Sequence, residues 1–188
     1  MNIFKTHECP IKCAMFLDDK RVIKMVLETA QLLCSSVYIH LFKNKYPNFT
    51  KQTRISYRAE TDLYLPSHLN HPISAWVRLT RGNYIWTLEH FEALLEEYKF
   101  RFGREHKSSF LLPLLDIYIK YIPVGVQTKF PNCAINKSLG IDYSQVTPVT
   151  TAYRNYLTKR FEGDKRTPKW TNRGLTFIKE QGIINLSK

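Results

Sequence analysis

One stripe of charged and polar side chains is predicted on a single face of the first long helix. It consists of Arg21, Lys24, Glu28, Gln31 and Ser35, whose spacings of 3, 4, 3 and 4 residues place them on one side of an α-helix. Glu28 could transfer a proton while Arg21 and Lys24 hold a phosphate, with Gln31 as a further substrate contact. The same spacing is also typical of a solvent-exposed face that ion pairs stabilise.

A second polar group, His68, Asn70 and His71, comes directly before a proline that is predicted to open a short helix. The first turn of a helix presents unpaired N–H groups that attract anions, so this group could bind a phosphate. The two histidines could instead bind zinc with Cys9 and Cys13, but the cysteine spacing does not match zinc motifs. We therefore predict substrate binding here, with no metal and no cofactor.

A third group, Arg101, Arg104, His106 and Lys107, lies at the end of the second long helix. Cations near the C-terminus of a helix are favoured by the helix dipole, which explains the group without any ligand. Four such side chains within seven residues also form a suitable phosphate-binding surface. Both interpretations fit the pattern, and all four residues are candidate substrate-binding residues.

Apolar residues that recur every three or four positions predict the helices that carry these groups. The helix of Glu28 repeats apolar residues from Val22 to Leu41, and the second long helix repeats them from Tyr84 to Phe102. Proline, glycine and N-cap residues mark the ends of the elements. The predicted helices span 10–17, 20–42, 72–78, 84–102, 107–121 and 147–161, and the predicted loops span 43–67 and 123–146.

These elements predict a mainly α protein, a compact single-domain helical bundle with long loops that covers residues 1–188. Two of its segments are strongly basic. The loop 43–67 has five cations before its first acid, Glu60, and the segment 154–188 has nine basic residues against three acids. We interpret the segment 154–188 either as a nucleic-acid contact or as a solvated surface.

The composition narrows the class of protein. The chain has 188 residues, of which 44% are hydrophobic, so it can bury a core and is not expected to be disordered. Its 28 Lys and Arg against 16 Asp and Glu give a net charge of +12, which favours a polyanionic partner such as DNA. We expect no membrane-spanning segment, no signal peptide and a cytoplasmic location with reduced thiols.

Four motifs within residues 1–110 are long and specific enough to be compared with a known family. They read LDDKRVIKMVLETAQLL from Leu17, HxNHPxxxW from His68, NYxW from Asn83 and YxxRxGRxHKS from Tyr98. These motifs are similar to those of a phage-type family that is labelled pyrimidine-dimer DNA glycosylase, or endonuclease V-like. A fainter similarity continues at AYRxY from Ala152 and at Trp170.

The resemblance implies a helical DNA-repair enzyme that binds damaged duplex DNA and extrudes one nucleotide. In that family an amine attacks the sugar C1′, breaks the N-glycosidic bond and forms a Schiff base, and β-elimination then nicks the strand. A carboxylate on a helix assists the reaction while arginines hold the flanking phosphates. Glu28 matches the carboxylate by residue type and position, and Arg21 and Lys24 match the phosphate-binding residues.

The resemblance leaves the attacking amine open. In the family it is the α-amine exposed when the initiator methionine is removed, but Asn2 is too bulky for efficient removal. The α-amine of Met1 is one candidate, because an α-amino pKa of about 7.7–8.0 leaves a useful unprotonated fraction. Lys24 is the other, and its amine, with an ordinary pKa of about 10.4, would require burial beside Arg21.

The sequence therefore predicts a DNA glycosylase, with or without lyase activity, that acts on damaged or modified bases in double-stranded DNA. Two alternatives fit as well. The chain could be a non-catalytic nucleic-acid-binding protein whose polar groups only hold backbone phosphates. It could also be an enzyme that acts on free nucleotides or modifies nucleobases, in which case the pocket would be narrow and the salt dependence weak.

Overall fold

A computed structural model describes residues 2–174, and 57% of them are helical. The seven α-helices of this part of the chain are α1 (Pro10–Met15), α2 (Asp19–Val37), α3 (Lys51–Thr61), α4 (Pro72–Val77), α5 (Arg81–Phe102), α6 (Leu111–Ile117) and α7 (Val149–Gly163). Two short antiparallel strands, β1 (Ile135–Asn136) and β2 (Ile141–Asp142), form a small sheet. The predicted mainly α fold is confirmed.

The two long helices form the centre of the fold. Helix α2 begins after Asp18 and continues beyond Val37 as one π-helical turn, and it packs against α5. Helix α5 begins after Thr80, whose side chain accepts a hydrogen bond from the backbone N–H of Asn83. It ends at Gly103, which has a φ of 66° in the left-handed region that glycine adopts without a steric penalty. The predicted apolar stripes of both helices are mostly buried.

Helix α3 lies inside the segment that the sequence predicts as a loop. Thr50 and Thr53 form a reciprocal capping box at its N-terminus. Its buried side chains are Tyr57 and Thr61, and the ring of Tyr57 lies 5.4–6.1 Å from four other aromatic rings, those of Tyr38, Phe42, Tyr46 and Phe49. A helix that buries so few side chains carries no extended apolar period, which is why the loop prediction was wrong there.

Helix α7 holds the amino-terminal segment, residues 2–8, against the body of the fold. The ring of Phe4 stacks on Tyr156, with centroids 5.8 Å apart, and contacts Tyr153 edge-on at 6.2 Å. Arg154 Nε donates a hydrogen bond of 2.8 Å to the carbonyl of Thr6. The start of the chain is therefore fixed by a helix that lies about 150 residues later.

The segment after α7 also packs onto the fold. Trp170 contacts the ring of Phe161 at 5.5 Å and donates from its indole N–H to the carbonyl of Phe16. The backbone N–H and hydroxyl of Thr171 donate to the carboxylate of Asp19. The predicted basic segment 154–188 is therefore anchored over its described part, up to residue 174, and its remainder lies outside the described residues.

One helical run in the described part of the chain, Asp19–Phe42, has the length and apolar composition that a membrane-spanning helix needs. Its most apolar window is 67% buried inside the protein. Burial of this kind is typical of a core helix, so the composition of the run is explained by its packing against α5.

Candidate functional site

Glu28 lies on the polar face of α2, and its side chain is 17% exposed. The Nζ atom of Lys24, one helical turn earlier, lies 3.3 Å from Glu28 Oε1. Gln31 follows on the same face and is partly exposed. The structure thus brings together Lys24, Glu28 and Gln31, as their spacing predicts.

The amino-terminal segment meets this face at Glu28. The backbone nitrogen of Asn2 lies 3.2 Å from Glu28 Oε2 and donates a hydrogen bond to it. Met1, the candidate nucleophile of the sequence, lies outside the described residues.

Three contacts fix the side chain of Asn2. The hydroxyl of Tyr153 donates to Asn2 Oδ1 over 2.9 Å, and the Asn2 amide donates to the carbonyl of Cys133 over 3.3 Å. The backbone N–H of Ile3 also donates to Asn2 Oδ1. Tyr153 is fully buried and also accepts a hydrogen bond from the N–H of Cys133, so it joins α7, the 123–134 segment and the amino terminus.

His71 approaches the same carboxylate from the loop before α4. Its Nδ1 atom accepts a hydrogen bond from the backbone N–H of Ile73 and so caps the N-terminus of α4. Burial lowers the pKa of His71, the charge of His68 lowers it further, and the carboxylate of Glu28 opposes both effects. His71 is therefore a neutral imidazole at pH 7, close enough to sense the charge of Glu28.

The loop that carries His71 is anchored at two points. Ser35 Oγ, at the end of the polar stripe, pairs with both the N–H and the carbonyl of Ser67. Arg78 donates to the carbonyl of Leu69 over 2.7 Å. His68 and Asn70 are exposed beside these anchors. Ser35 thus positions the loop and is not an exposed substrate contact.

Arg21 is not available to hold a phosphate. Its side chain is 6% exposed and forms ion pairs of 2.9 Å with both Asp18 and Asp164. Its guanidinium also lies 4.6 Å from the ring centroid of Phe161. Because two carboxylates occupy its donors, the predicted phosphate-binding role of Arg21 is corrected to a link between α2 and the end of α7.

Arg101 needs the same correction. Its side chain is fully buried, forms ion pairs with Glu97 and Asp19, and donates to two backbone carbonyls, those of Leu17 and Met15. A charge in such a position is compensated internally and has no donor left for a ligand. Arg101 therefore joins α5 to the turn before α2.

The rest of the third group makes no hydrogen bond or ion pair with Glu28 in the described part of the chain. Arg104 and Lys107 are exposed, while the ring of His106 packs edge-on against Tyr98, with centroids 4.8 Å apart. Burial lowers the pKa of His106, and the charge of Lys107 lowers it further. Within residues 2–174, none of these three side chains has a hydrogen bond or ion pair with Glu28. Their predicted substrate-binding role is therefore not supported by any contact with Glu28.

The described part of the chain contains no set of ligands that would support the zinc alternative. No group of three or more His, Cys, Asp or Glu side chains there is arranged to hold a metal ion. The thiol of Cys13 is buried and donates to the carbonyl of His7, and burial raises its pKa to about 12. Such a thiol stays protonated and is a poor metal ligand.

The residues that sequence reasoning missed are those that position Asn2. For Tyr153, its place in the motif AYRxY is the only feature of the sequence that could have indicated a role in the site. Cys133 takes part through its backbone carbonyl, which no side-chain pattern can indicate. A scan against protein-family models and searches of curated proteins and of solved structures find no match. The interpretation of this site therefore depends on its own geometry.

Proposed function

We propose that the protein is a DNA glycosylase that acts on damaged or modified bases in duplex DNA and can also cleave the strand. Glu28 is the acid/base residue, and the amine that attacks the sugar comes from the amino-terminal segment. His71 and Gln31 contact the extruded nucleotide, with the exposed side chains of His68 and Asn70 beside them. Arg104, His106 and Lys107 hold a more distant part of the DNA backbone.

The proposed reaction uses the unprotonated amine as nucleophile. The amine lone pair forms a bond to C1′ while the N-glycosidic bond breaks and its electron pair leaves with the base, which takes up a proton. Glu28 accepts the proton that the amine loses, and ring opening of the sugar gives a Schiff base. Removal of a C2′ proton then expels the 3′ phosphate and cuts the strand, and water releases the enzyme.

The observation that carries this proposal is the hydrogen bond between the Asn2 nitrogen and Glu28. It brings an amino-terminal segment and a partly exposed carboxylate within 3.2 Å, which suits proton transfer to or from an amine near residue 2. Lys24 is less suited to the nucleophilic role. Its side chain is 70% exposed, so the burial that this role would require is absent.

The net charge of +12 supports DNA as the partner over a free nucleotide. A small-molecule enzyme needs only a few cations around one enclosed ligand, whereas this chain also exposes cations on surfaces away from Glu28, such as those of Arg104 and Lys107. Duplex DNA, which is charged along its whole length, can use all of these surfaces.

The test is a gel assay on duplexes that are ultraviolet-irradiated, abasic or carry modified bases, with borohydride present to trap a Schiff base. We expect cleavage and a covalent adduct on at least one substrate with the wild type, and neither with Glu28→Gln. Glu92→Gln, which removes an exposed carboxylate from α5, is the matched control and should keep full activity. If the wild type binds DNA and neither cleaves nor becomes trapped on any substrate, the proposal is wrong.

A further inference from the structure

Helix α3 has a cationic face that the proposed reaction does not use. Lys51, Arg54 and Arg58 are all exposed. At about 100° per residue, their spacings of three and four positions place the three side chains within about 60° of one another around the helix. They form one short stripe, which we call the α3 basic face.

No ion pair neutralises the α3 basic face within the described residues. Glu60 is the one acid within α3, and it projects from the opposite side of the helix. There its carboxylate is engaged by Lys45, at 2.6 Å, and by the hydroxyl of Tyr46. Asp62, which follows the helix in a left-handed conformation, has no ion pair with Arg58 or any other described residue.

The helix dipole does not explain the α3 basic face as a whole. Lys51 occupies the first turn, where the positive end of the helix dipole disfavours a cation. Arg54 and Arg58 are four residues apart, so their like charges repel. Arg58 lies in the last turn, where the dipole favours a cation. Because the dipole disfavours Lys51 and no described acid pairs with the three cations, a ligand that neutralises them is the simplest explanation for the stripe.

The position of α3 is suited to a long ligand. The helix is fixed by the buried ring of Tyr57, which packs against Tyr38, and Tyr38 lies ten residues beyond Glu28 on the same helical run. At 1.5 Å per residue this separation is about 15 Å along the helix axis. One strand of B-DNA carries a phosphate every 3.4 Å or so, so the distance along the helix from Glu28 to the residue that anchors α3 corresponds to about four phosphates.

We infer that the α3 basic face binds the backbone phosphates of duplex DNA, several nucleotides away from the one that Glu28 contacts. The inference rests on the proposed function only in its choice of duplex DNA as the polyanion. Each of the three cations that meets a phosphate releases condensed counterions, so the contact contributes affinity that depends steeply on salt and little on base sequence.

The experiment measures how the affinity for a 25-base-pair undamaged duplex depends on salt concentration. The test variant is the triple substitution Lys51→Gln, Arg54→Gln and Arg58→Gln. The control is the triple substitution Lys12→Gln, Lys120→Gln and Lys137→Gln. These three lysines lie outside α3, are exposed, and have no ion pair within the described residues. Circular dichroism verifies that both variants keep their helix content.

We expect the test variant to reduce the slope of log K against log salt by about two to three, and to weaken binding at 50 mM salt about tenfold or more. The control should reduce the slope by less than one. Equal slopes for the test variant and the wild type, or an equal loss in the control, would overturn the inference. So would tighter binding, dependent on the α3 basic face, to a duplex RNA or to phosphatidylserine vesicles than to DNA.

The outcome separates this inference from the proposed function. If the α3 basic face controls the salt slope while no substrate is cleaved or trapped, the inference stands and the glycosylase proposal fails. If DNA is cleaved while the slope is independent of the α3 basic face, the glycosylase proposal stands and the inference fails.

Discussion

Asn2 and Glu28 are 26 residues apart in sequence, yet the backbone nitrogen of the first donates a hydrogen bond to the carboxylate of the second. The side chain of Asn2 cannot turn away, because Tyr153 and the carbonyl of Cys133 bind both ends of its amide. The described amino-terminal segment is thus held, through Asn2, at a carboxylate on the central helix. This arrangement gives the proposed amine its position and its proton acceptor.

Tyr153→Phe removes the hydroxyl that holds Asn2 and keeps the ring. We expect the free energy of unfolding to fall by about 1–2 kcal/mol, because a buried hydrogen-bond pair is lost. Single-turnover cleavage of an abasic duplex should slow by about tenfold, since the amine is no longer fixed at Glu28. Tyr156→Phe is the control, because Tyr156 contacts Phe4 through its ring and its hydroxyl accepts a hydrogen bond from Arg160, not from Asn2. Equal rates for Tyr153→Phe and the wild type would show that the hydroxyl does not position the amine.

An extension of two residues before Met1 distinguishes the two candidate amines. The extension moves the α-amine away from Glu28, so we expect borohydride trapping to be lost, while Lys24→Gln should still be trapped. Peptide mapping of the wild-type adduct checks the result directly, and the intact mass of the purified protein gives its first residue. A trapped adduct on Lys24 would assign the attack to that side chain instead.

His90 makes stability depend on pH. Its imidazole is fully buried, stacks on Trp86, and bonds through Nδ1 to the carbonyl of Pro10, and burial lowers its pKa from 6.5 to about 4. The folded state therefore excludes a proton that the unfolded state binds below pH 6.5, so this contribution to stability is complete above pH 6.5 and declines towards pH 4. Between pH 7.5 and pH 5 we expect a loss of about 2 kcal/mol.

Urea unfolding at several pH values measures this effect. In His90→Gln the loss between pH 7.5 and pH 5 should shrink by most of that amount. His68→Asn is the control, because His68 is exposed and its left-handed φ of 50° is one that asparagine tolerates. If His90→Gln and the wild type lose equal stability on acidification, the buried imidazole is not responsible.

Arg101 and Arg104 should respond differently to truncation. Arg101→Ala removes one of the two arginines that pair with the buried carboxylate of Glu97, and it also removes the donors to two backbone carbonyls. We therefore expect a loss of about 3 kcal/mol in the free energy of unfolding. Arg104→Ala changes an exposed side chain and should cost about 0.5 kcal/mol or less, while it weakens DNA binding. Thermal unfolding and a binding titration of each variant check the pair. Normal stability of Arg101→Ala would contradict its structural role.

The strongly periodic parts of the fold were predictable from sequence. The stripes of α2 and α5 are long, and markers such as Gly103 end them clearly, so their core faces could be assigned. Helix α3 could not, because it is held by little more than one tyrosine in a pocket of other aromatic rings. Its capping pair, Thr50 and Thr53, was the one local signal.

The site was predictable where helix geometry alone decides which residues meet. Lys24, Glu28 and Gln31 share a face because of their spacing. Whether Arg21 can bind a phosphate depends on Asp164, which is 143 residues away in sequence. No local pattern shows that such a distant carboxylate occupies the donors of Arg21. The position of Asn2 depends in the same way on Tyr153, 151 residues later.

The dependence of Asn2 on α7 has a consequence for the way the protein matures. During synthesis, a chain that has been made only as far as residue 110 already contains Glu28 and His71, but it lacks Tyr153, whose hydroxyl binds Asn2. The contact that positions Asn2 therefore forms late, after α7 has left the ribosome and docked. A chain that is truncated before α7 should fold in part and be inert.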